Sequence, residues 1–219
     1  MENSAFLHEL AHDMRAPLSA INGFANAILD GTIPPENQKR YIGIIADESK
    51  ALSLMLDRVL SASRLQSGAV TADVSRFELA ELVHAALLLF EDKVAARGLR
   101  LEIATEQVYI CADRMLIQSV VTNLLENAVK YTPSGGNVRV SVSAEDKGAR
   151  FTVSNTCNNL QEGEAERLTH RFYRSSGAVE SGVKGTGLGL YIVEKALALH
   201  GKKPEISLSN GIISFSFVL

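Results

Sequence analysis

The sequence predicts an α+β chain. An N-terminal antiparallel helical hairpin over residues 1–67 is followed by a short linker at 68–76 and an α/β sandwich over residues 77–219. Three observations carry this. Apolar residues recur at alternating spacings of four and three on both sides of a single break, Gly31-Thr32-Ile33-Pro34-Pro35. From residue 77 the periodicity becomes mixed, helical stretches interspersed with period-two runs. The strands are joined by hairpin turns such as Lys147-Gly148 and Asn210-Gly211 rather than by strict βαβ alternation, which places the helices on one face of the sheet.

In the first part, Leu10, Met14, Pro17, Ile21, Phe24 and Ile28 form one seam, and Ile42, Ile45, Ser49, Leu52, Leu56 and Val59 the other. Seams of this spacing pack helices nearly parallel in the coiled-coil manner. Two helices alone bury little, so dimerisation into a four-helix bundle is expected. In the second part, residues 77–97 read as a helix ending at Gly98, and 99–104 and 108–111 as strands. Residues 114–131 read as a helix closed by Pro133 and Gly135-Gly136. Residues 138–144 and 149–154 alternate like half-buried strands. A polar stretch from 155 to 184 reads as a loop, and a loop that long is more often a functional lid than a plain connection. A helix over 187–200 and strands at 206–209 and 212–218 complete the chain.

Composition narrows the function. With 46% hydrophobic and 21% charged residues, the 219-residue chain can bury a core. A net charge of -3 with no long basic run argues against a nucleic-acid partner or an anionic membrane surface. Cys111 and Cys157 suggest neither a disulfide framework nor zinc and read as reduced cytosolic thiols. There is no signal peptide and no apolar run approaching the ~20 residues of a membrane span. The expected location is therefore cytoplasmic, including as the cytosolic part of a membrane-bound receptor whose span would lie upstream of Met1.

The first chemical constellation is Phe6-Leu-His-Glu-Leu-Ala-His12-Asp13-Met14-Arg15-Ala16-Pro17-Leu18. His12 lies about 200° round the helix from seam positions Leu10 and Met14 and should face solvent. A carboxylate such as Asp13 that holds one imidazole nitrogen leaves the other nucleophilic. Pro17 lacks an N–H and so frees the carbonyl of Asp13. The alternative is an ordinary surface histidine on a bundle helix. His8 shares the face and precedes Glu9, but no proline follows at the same offset. The segment closely resembles the phosphoacceptor box of sensor histidine kinases. The resemblance implies that His12 accepts phosphate with Asp13 as its orienting base. Ala16 stands where that family often has Thr or Asn, which puts phosphatase activity toward a partner regulator in doubt.

In Asn123-Leu-Leu-Glu-Asn127-Ala-Val-Lys130-Tyr131, residues 123, 127, 130 and 131 fall at i, i+4, i+7 and i+8, one polar stripe on a helix. Amide oxygens can ligate Mg²⁺ and an ammonium can meet phosphate oxygens; a solvated helix face is the plain alternative. The segment matches the family's N box. By that resemblance Asn123 holds Mg²⁺, Asn127 and Lys130 serve the metal and phosphates, and Tyr131 lies on the nucleoside side. Gly185-Thr186-Gly187-Leu188-Gly189 then opens a helix, where glycines and helix-terminal N–H groups suit phosphate. It matches the G2 box, and Arg171-Phe-Tyr-Arg174 matches an R-F-Y-R segment, which makes residues 160–186 the ATP lid and Arg174 a γ-phosphate contact. Where the family's G1 box has D-x-G-x-G, this chain has Asn155-Thr-Cys157-Asn-Asn159. Asn155 still offers an acceptor to adenine.

Taken together, the motif order implies a Bergerat-type ATP-binding fold and autophosphorylation on His12 by Mg·ATP. A homodimer and transfer to an aspartate of a response regulator receiver domain follow from the same resemblance. One rival is a hydrolytic ATPase of the same nucleotide fold, which begins this box with a water-activating Glu where Asn123 stands. The other is a pseudokinase or phosphotransfer scaffold, which the altered G1 segment would suit.

Overall fold

The structure, a computed structural model, describes residues 2–219 apart from 69, 147, 159, 162 and 184, and describes the backbone alone at 2–10 and 12. It divides into two compact units, Met1–Ser61 and Ala62–Leu219.

The first unit is the helical hairpin: α1 (Glu2–Leu29) and most of α2 (Pro35–Gln66). Gly31 at φ +76 supplies the left-handed residue that ends α1. Asp30 caps the turn by accepting from the Thr32 N–H at 3.0 Å, while the Ile33 N–H returns to the Ala27 carbonyl at 2.9 Å and Ile33 is buried. On α1 the expected seam is present from Met14 onward: Met14, Ile21, Phe24 and Ile28 are half-buried and Pro17 is buried within a helix that continues past it, while the Leu10 side chain lies outside the described residues. On α2 the expected seam holds at Ile45, Leu52 and Val59, which are half-buried, and is corrected at its other three positions: Ile42 (54% exposed), Ser49 and Leu56 (50%) face outward, while their neighbours Tyr41, Glu48 and Met55 are half-buried. The cause is that α2 carries two adjacent apolar stripes. The Tyr41 ring packs on Phe24, centroids 5.1 Å apart, and selects which stripe turns inward. The other, with Leu60, is left as an apolar stripe on the outside.

The second unit builds a five-stranded sheet in the order β2 (Arg100–Thr105), β4 (Asn137–Glu145), β5 (Gly148–Thr156), β7 (Ile212–Val218), β6 (Glu205–Ser209). The β2–β4 pair is parallel and the rest are antiparallel. Alternation decides the faces. Val138, Val140 and Val142 of β4, Ala149, Phe151 and Val153 of β5, and Ile213, Phe215 and Phe217 of β7 are buried. With them pack α3 (Leu79–Leu88), α5 (Arg114–Tyr131) and α7 (Gly189–Ala198) in one continuous core, in which Phe151 and Phe217 stack at 5.3 Å. The opposite face is polar: Ser154 and Ser214 hydroxyls meet at 2.8 Å, and Arg150 bridges Glu145 and Glu205 at 2.6 and 2.5 Å. Helices on one face are what the sequence predicts.

Three expectations need correction. The linker 68–76 already contains the start of β1 (Val74–Glu78), which pairs antiparallel with β3 (Tyr109–Asp113). The helix expected over 77–97 is two, α3 and α4 (Glu91–Ala96), separated by a turn at Leu89-Phe90 that buries Phe90 while Leu88 and Leu89 stay outside. The long loop holds a 3₁₀ turn (Ala165–Arg167) and the short α6 (Ser176–Glu180), and α7 starts at Gly189 rather than 187.

The helix that matters most, α5, is fixed at its start by Asp113. Its Oδ1 accepts from the Leu116 N–H at 3.0 Å, the N-cap bond, and its Oδ2 from the Asp73 N–H at 2.9 Å. The Asp113 N–H in turn donates to His200 Nε2 at 3.0 Å, at the end of α7. Burial alone would raise the Asp113 carboxyl, but these donors and His200 outweigh it and hold it below its ordinary value.

Candidate nucleotide site

The sequence stripe on α5 is real: Val120, Val121, Leu124 and Ala128 are buried, and Asn123, Asn127, Lys130 and Tyr131 are only half-covered. Asn123 donates from Nδ2 to the Ser119 carbonyl at 2.8 Å, which turns its Oδ1 away from its own helix. The Lys130 ammonium lies 4.8 Å from the Tyr131 ring centroid, and no carboxylate pairs with it among the described residues.

The glycine segment before α7 is brought onto this stripe. A Cβ at Gly185 would collide with Lys130 Nζ and stand 3.4 Å from the Tyr131 hydroxyl. A Cβ at Gly189 would stand 3.1 Å from Asn123 Oδ1 and 3.9 Å from Asn127 Nδ2. The first turn of α7, with its unpaired N–H groups and positive dipole end, therefore abuts two amide side chains and one ammonium. Between the glycines Leu188 is fully buried and anchors the segment in the core; Thr186 is half-buried. Gly187 has φ +64 and rests against the backbone of Phe172, itself at φ +64, whose N–H donates to the Gly187 carbonyl at 3.0 Å. An aromatic residue in that region is strained, which marks this contact as one the surroundings enforce.

Asn155 ends the buried row of β5, 3% exposed, between Val138 on β4 and Ile213 on β7. Its Nδ2 donates to the Thr156 carbonyl at 3.0 Å, leaving Oδ1 as the acceptor. Cys157 holds the next turn through its N–H to the Gly211 carbonyl at 2.7 Å, and Asn159 lies outside the described residues. Gly136, after α5, packs among Thr132 and Thr156 where a Cβ would stand 2.7 Å from Thr132 Cγ2, so this backbone approach admits only glycine.

In the lid, the Glu164 carboxylate accepts from the Gln161 N–H (2.9 Å), the Ser176 N–H (2.9 Å), the Ser176 hydroxyl (3.0 Å) and the Tyr173 hydroxyl (3.1 Å). Burial alone would raise its carboxyl, but these donors more than offset it and hold it below its ordinary value. Arg174 ties the other side, donating from Nη2 to the Ala178 carbonyl at 3.1 Å and the Val183 carbonyl at 2.6 Å. Its guanidinium is thus engaged within the lid, although its buried Nε finds no partner among the described residues.

Chemically, helix-terminal N–H groups and an ammonium beside two amide side chains can receive phosphate oxygens and a hard cation. Residues 112–219 match the family described as histidine kinase-, DNA gyrase B- and HSP90-like ATPase, and residues 2–68 match the His Kinase A (phospho-acceptor) domain. The chain belongs to the histidine kinases. Among relatives of this family, the signal transduction histidine-protein kinase BaeS of Escherichia coli is 29% identical over 89% of this chain and 42% of its own length. The chain thus spans well under half of such a relative. The histidine kinase AdeS of Acinetobacter baumannii shares the fold at TM-score 0.75 with 19% identity, over 94% of this chain and 95% of that one. The histidine kinase ThkA, solved in complex with the response regulator protein TrrA, aligns at TM-score 0.73 with 26% identity, over 96% of this chain and 59% of that one.

Among histidine-kinase features, His12 and Asp13 fall within α1, but the His12 side chain lies outside the described residues, as does that of His8. Among the described residues no cluster of His, Cys, Asp or Glu could hold a metal, and no helix is long and apolar enough to cross a membrane.

Sequence reasoning missed the Glu164 knot, because its donors come from three separate places in a stretch without periodicity. Its lowered value means the tie is present above the ordinary glutamate range and is lost as pH falls through the lowered value. Burial, and then the neighbouring carboxylate, hold the Tyr173 phenol above its ordinary value, so it remains a donor at neutral pH. Glu164→Gln should therefore loosen the lid, by about 1 kcal/mol for a charge-assisted bond made neutral. Trypsin should then cut after Arg167 or Arg171 about five-fold faster, on the factor of ten that corresponds to 1.4 kcal/mol. An unchanged cleavage rate would refute that role for Glu164.

Proposed function

We propose that the chain binds Mg·ATP in the α5–α7 site, transfers the γ-phosphoryl group to His12, and passes it to an aspartate of a response regulator receiver domain. The observation that carries this is the convergence of Gly185 and Gly189 on Lys130, Asn123 and Asn127, in a chain that also holds the phosphoacceptor domain. Asn123 Oδ1 and the Asn127 amide are suited to Mg²⁺, which when bound would neutralise charge on the phosphates. Lys130 and the α7 N-terminus would hold the phosphate oxygens, Leu188 fixing the Gly185–Gly189 segment beneath them and Thr186 offering a hydroxyl. Tyr131 and Asn155 would serve the nucleoside, Asn155 through its free Oδ1. The Arg174 guanidinium would reach the γ-phosphate on rearrangement of the lid. Catalysis then consists mostly of positioning and charge stabilisation.

The domain limits supported by this reading are the hairpin to about residue 67 and a catalytic domain that begins with β1. Homodimerisation is supported by the outward stripe of Ile42, Leu56 and Leu60 on α2, which a second copy would cover to form a four-helix bundle. A response regulator partner is supported by the likeness to ThkA, whose structure contains one.

The test is incubation with γ-labelled ATP and Mg²⁺. Acid-labile, alkali-stable label on the chain supports the kinase, and its passage to a receiver domain supports the relay. No label at millimolar ATP would overturn the kinase in favour of a binding scaffold.

Asn155→Asp sharpens the adenine assignment. The carboxylate would make a charge-assisted bond to an adenine amino group where the amide makes a neutral one, a gain of about 1–2 kcal/mol or roughly ten-fold in affinity. It would also lose the donor to the Thr156 carbonyl and bury a charge on a 3%-exposed site. We expect a lower melting temperature without nucleotide together with tighter ATP binding by calorimetry. An unchanged dissociation constant would remove Asn155 from the adenine site.

A further inference from the structure

The last carbonyls of any α-helix lack partners within the helix and must be satisfied from elsewhere. At the end of α5 the Ala128 carbonyl is taken by Thr132, through its N–H at 3.1 Å and its hydroxyl at 2.6 Å. Those of Val129 and Lys130 are taken by one side chain from outside. Arg97, the residue after α4, donates from Nη1 to the Val129 and Lys130 carbonyls, the latter at 2.9 Å, and from Nη2 to the Thr132 carbonyl at 2.6 Å. Its own carbonyl accepts from the Gly135 N–H at 3.1 Å, so backbone and side chain of this residue both clamp the turn that follows α5.

The structure assigns Arg97 as a positioning residue of the nucleotide site: its guanidinium fork fixes the last turn of α5 and thereby the places of Lys130 and Tyr131. This rests on the ATP site proposed above. A planar fork with fixed N–H directions can meet several carbonyls at once, which an ammonium on a flexible stem cannot, and a cation at a helix C-terminus also complements the dipole. Without it the last turn frays. Lys130, whose ammonium lies against the Gly185 backbone, then samples many positions in place of one, and this weakens nucleotide binding while leaving the acceptor histidine untouched.

The experiment compares wild type, Arg97→Ala and Arg97→Lys by the ATP dependence of autophosphorylation and by hydrogen exchange. In Arg97→Ala the KM for ATP should rise five- to ten-fold with kcat within two-fold of wild type, and faster exchange should be confined to amides of residues 129–132. Arg97→Lys should recover part of the KM effect. An unchanged KM in Arg97→Ala overturns the assignment, as does faster exchange spread over the whole domain, which would mean general loss of stability. A wild-type chain that binds no nucleotide overturns the ATP site itself, and the assignment with it.

Discussion

His12→Gln should abolish acid-labile phosphorylation, a loss of at least about a thousandfold, since removing a nucleophile leaves only the binding contribution. Glutamine keeps the length of the side chain, favours the helix, and offers an amide too weakly nucleophilic to attack phosphorus. The residue sits inside the long helix α1, where one polar exchange on a 28-residue element leaves the hairpin intact. The residues proposed to hold ATP all belong to the other unit, so ATP affinity measured by calorimetry should not change. This separates loss of the acceptor from loss of the donor site. Label persisting in His12→Gln would shift the acceptor to His8, one face-neighbour earlier on the same helix.

Gly187→Ala should cost at least ten-fold in ATP affinity, and it tests the junction between lid and glycine loop. At φ +64 an alanine is strained by about 1–2 kcal/mol before any contact is counted. Its Cβ would also stand 2.6 to 2.8 Å from the carbonyl carbon, Cα and oxygen of Phe172. These are backbone atoms, held by the Phe172 N–H bond to the Gly187 carbonyl, and Phe172 is already in the left-handed region. Neither partner can rotate away, so the contact opens and the lid loses its attachment to the phosphate loop. Gly189→Ala is the control: its φ is ordinary and its Cβ would press only on Asn123 Oδ1 at 3.1 Å, a side-chain atom that can shift, so its loss should be smaller. Equal affinity in Gly187→Ala and wild type, measured by calorimetry, would show that the junction is not needed for binding.

The parts of the fold that were legible in the sequence are those whose signals are local. Helix α5 matches its expected bounds, 114–131, because Pro133 and Gly135-Gly136 close its end. Strand β7 was read because alternation and Asn210-Gly211 agree. Strand β1 was not, since Val-Ser-Arg-Phe-Glu is short and its partner β3 lies far along the chain. The turn at Leu89-Phe90 contains no Gly or Pro; it exists because Phe90 gains burial, which only the assembled core can reveal. The inward stripe of α2 was misplaced at Ile42, Ser49 and Leu56 for the same reason, since only the packing of Tyr41 on Phe24 distinguishes it from its neighbour. At the site, the residues of the α5 stripe and the glycine segment were legible because they recur at helical or loop spacing. Arg97 and Glu164 were not, because their work is done on backbone groups whose positions no spacing encodes.

The sheet with helices on one side and hydroxyls and ion pairs on the other divides the catalytic unit's strands into two populations of positions. Along β5, Phe151 and Val153 answer to close packing, while Arg150, Thr152 and Ser154 lie on the polar face, Arg150 paired with Glu145 and Glu205 and Ser154 with Ser214. Half of each central strand is therefore open to sequence drift and the other half closed. Asn155 falls in the closed half, in step with Phe151 and Val153, so its amide occupies a position where shape is policed as strictly as in the core. A change there is filtered twice, once by the packing of the slab and once by whatever the Oδ1 atom must recognise.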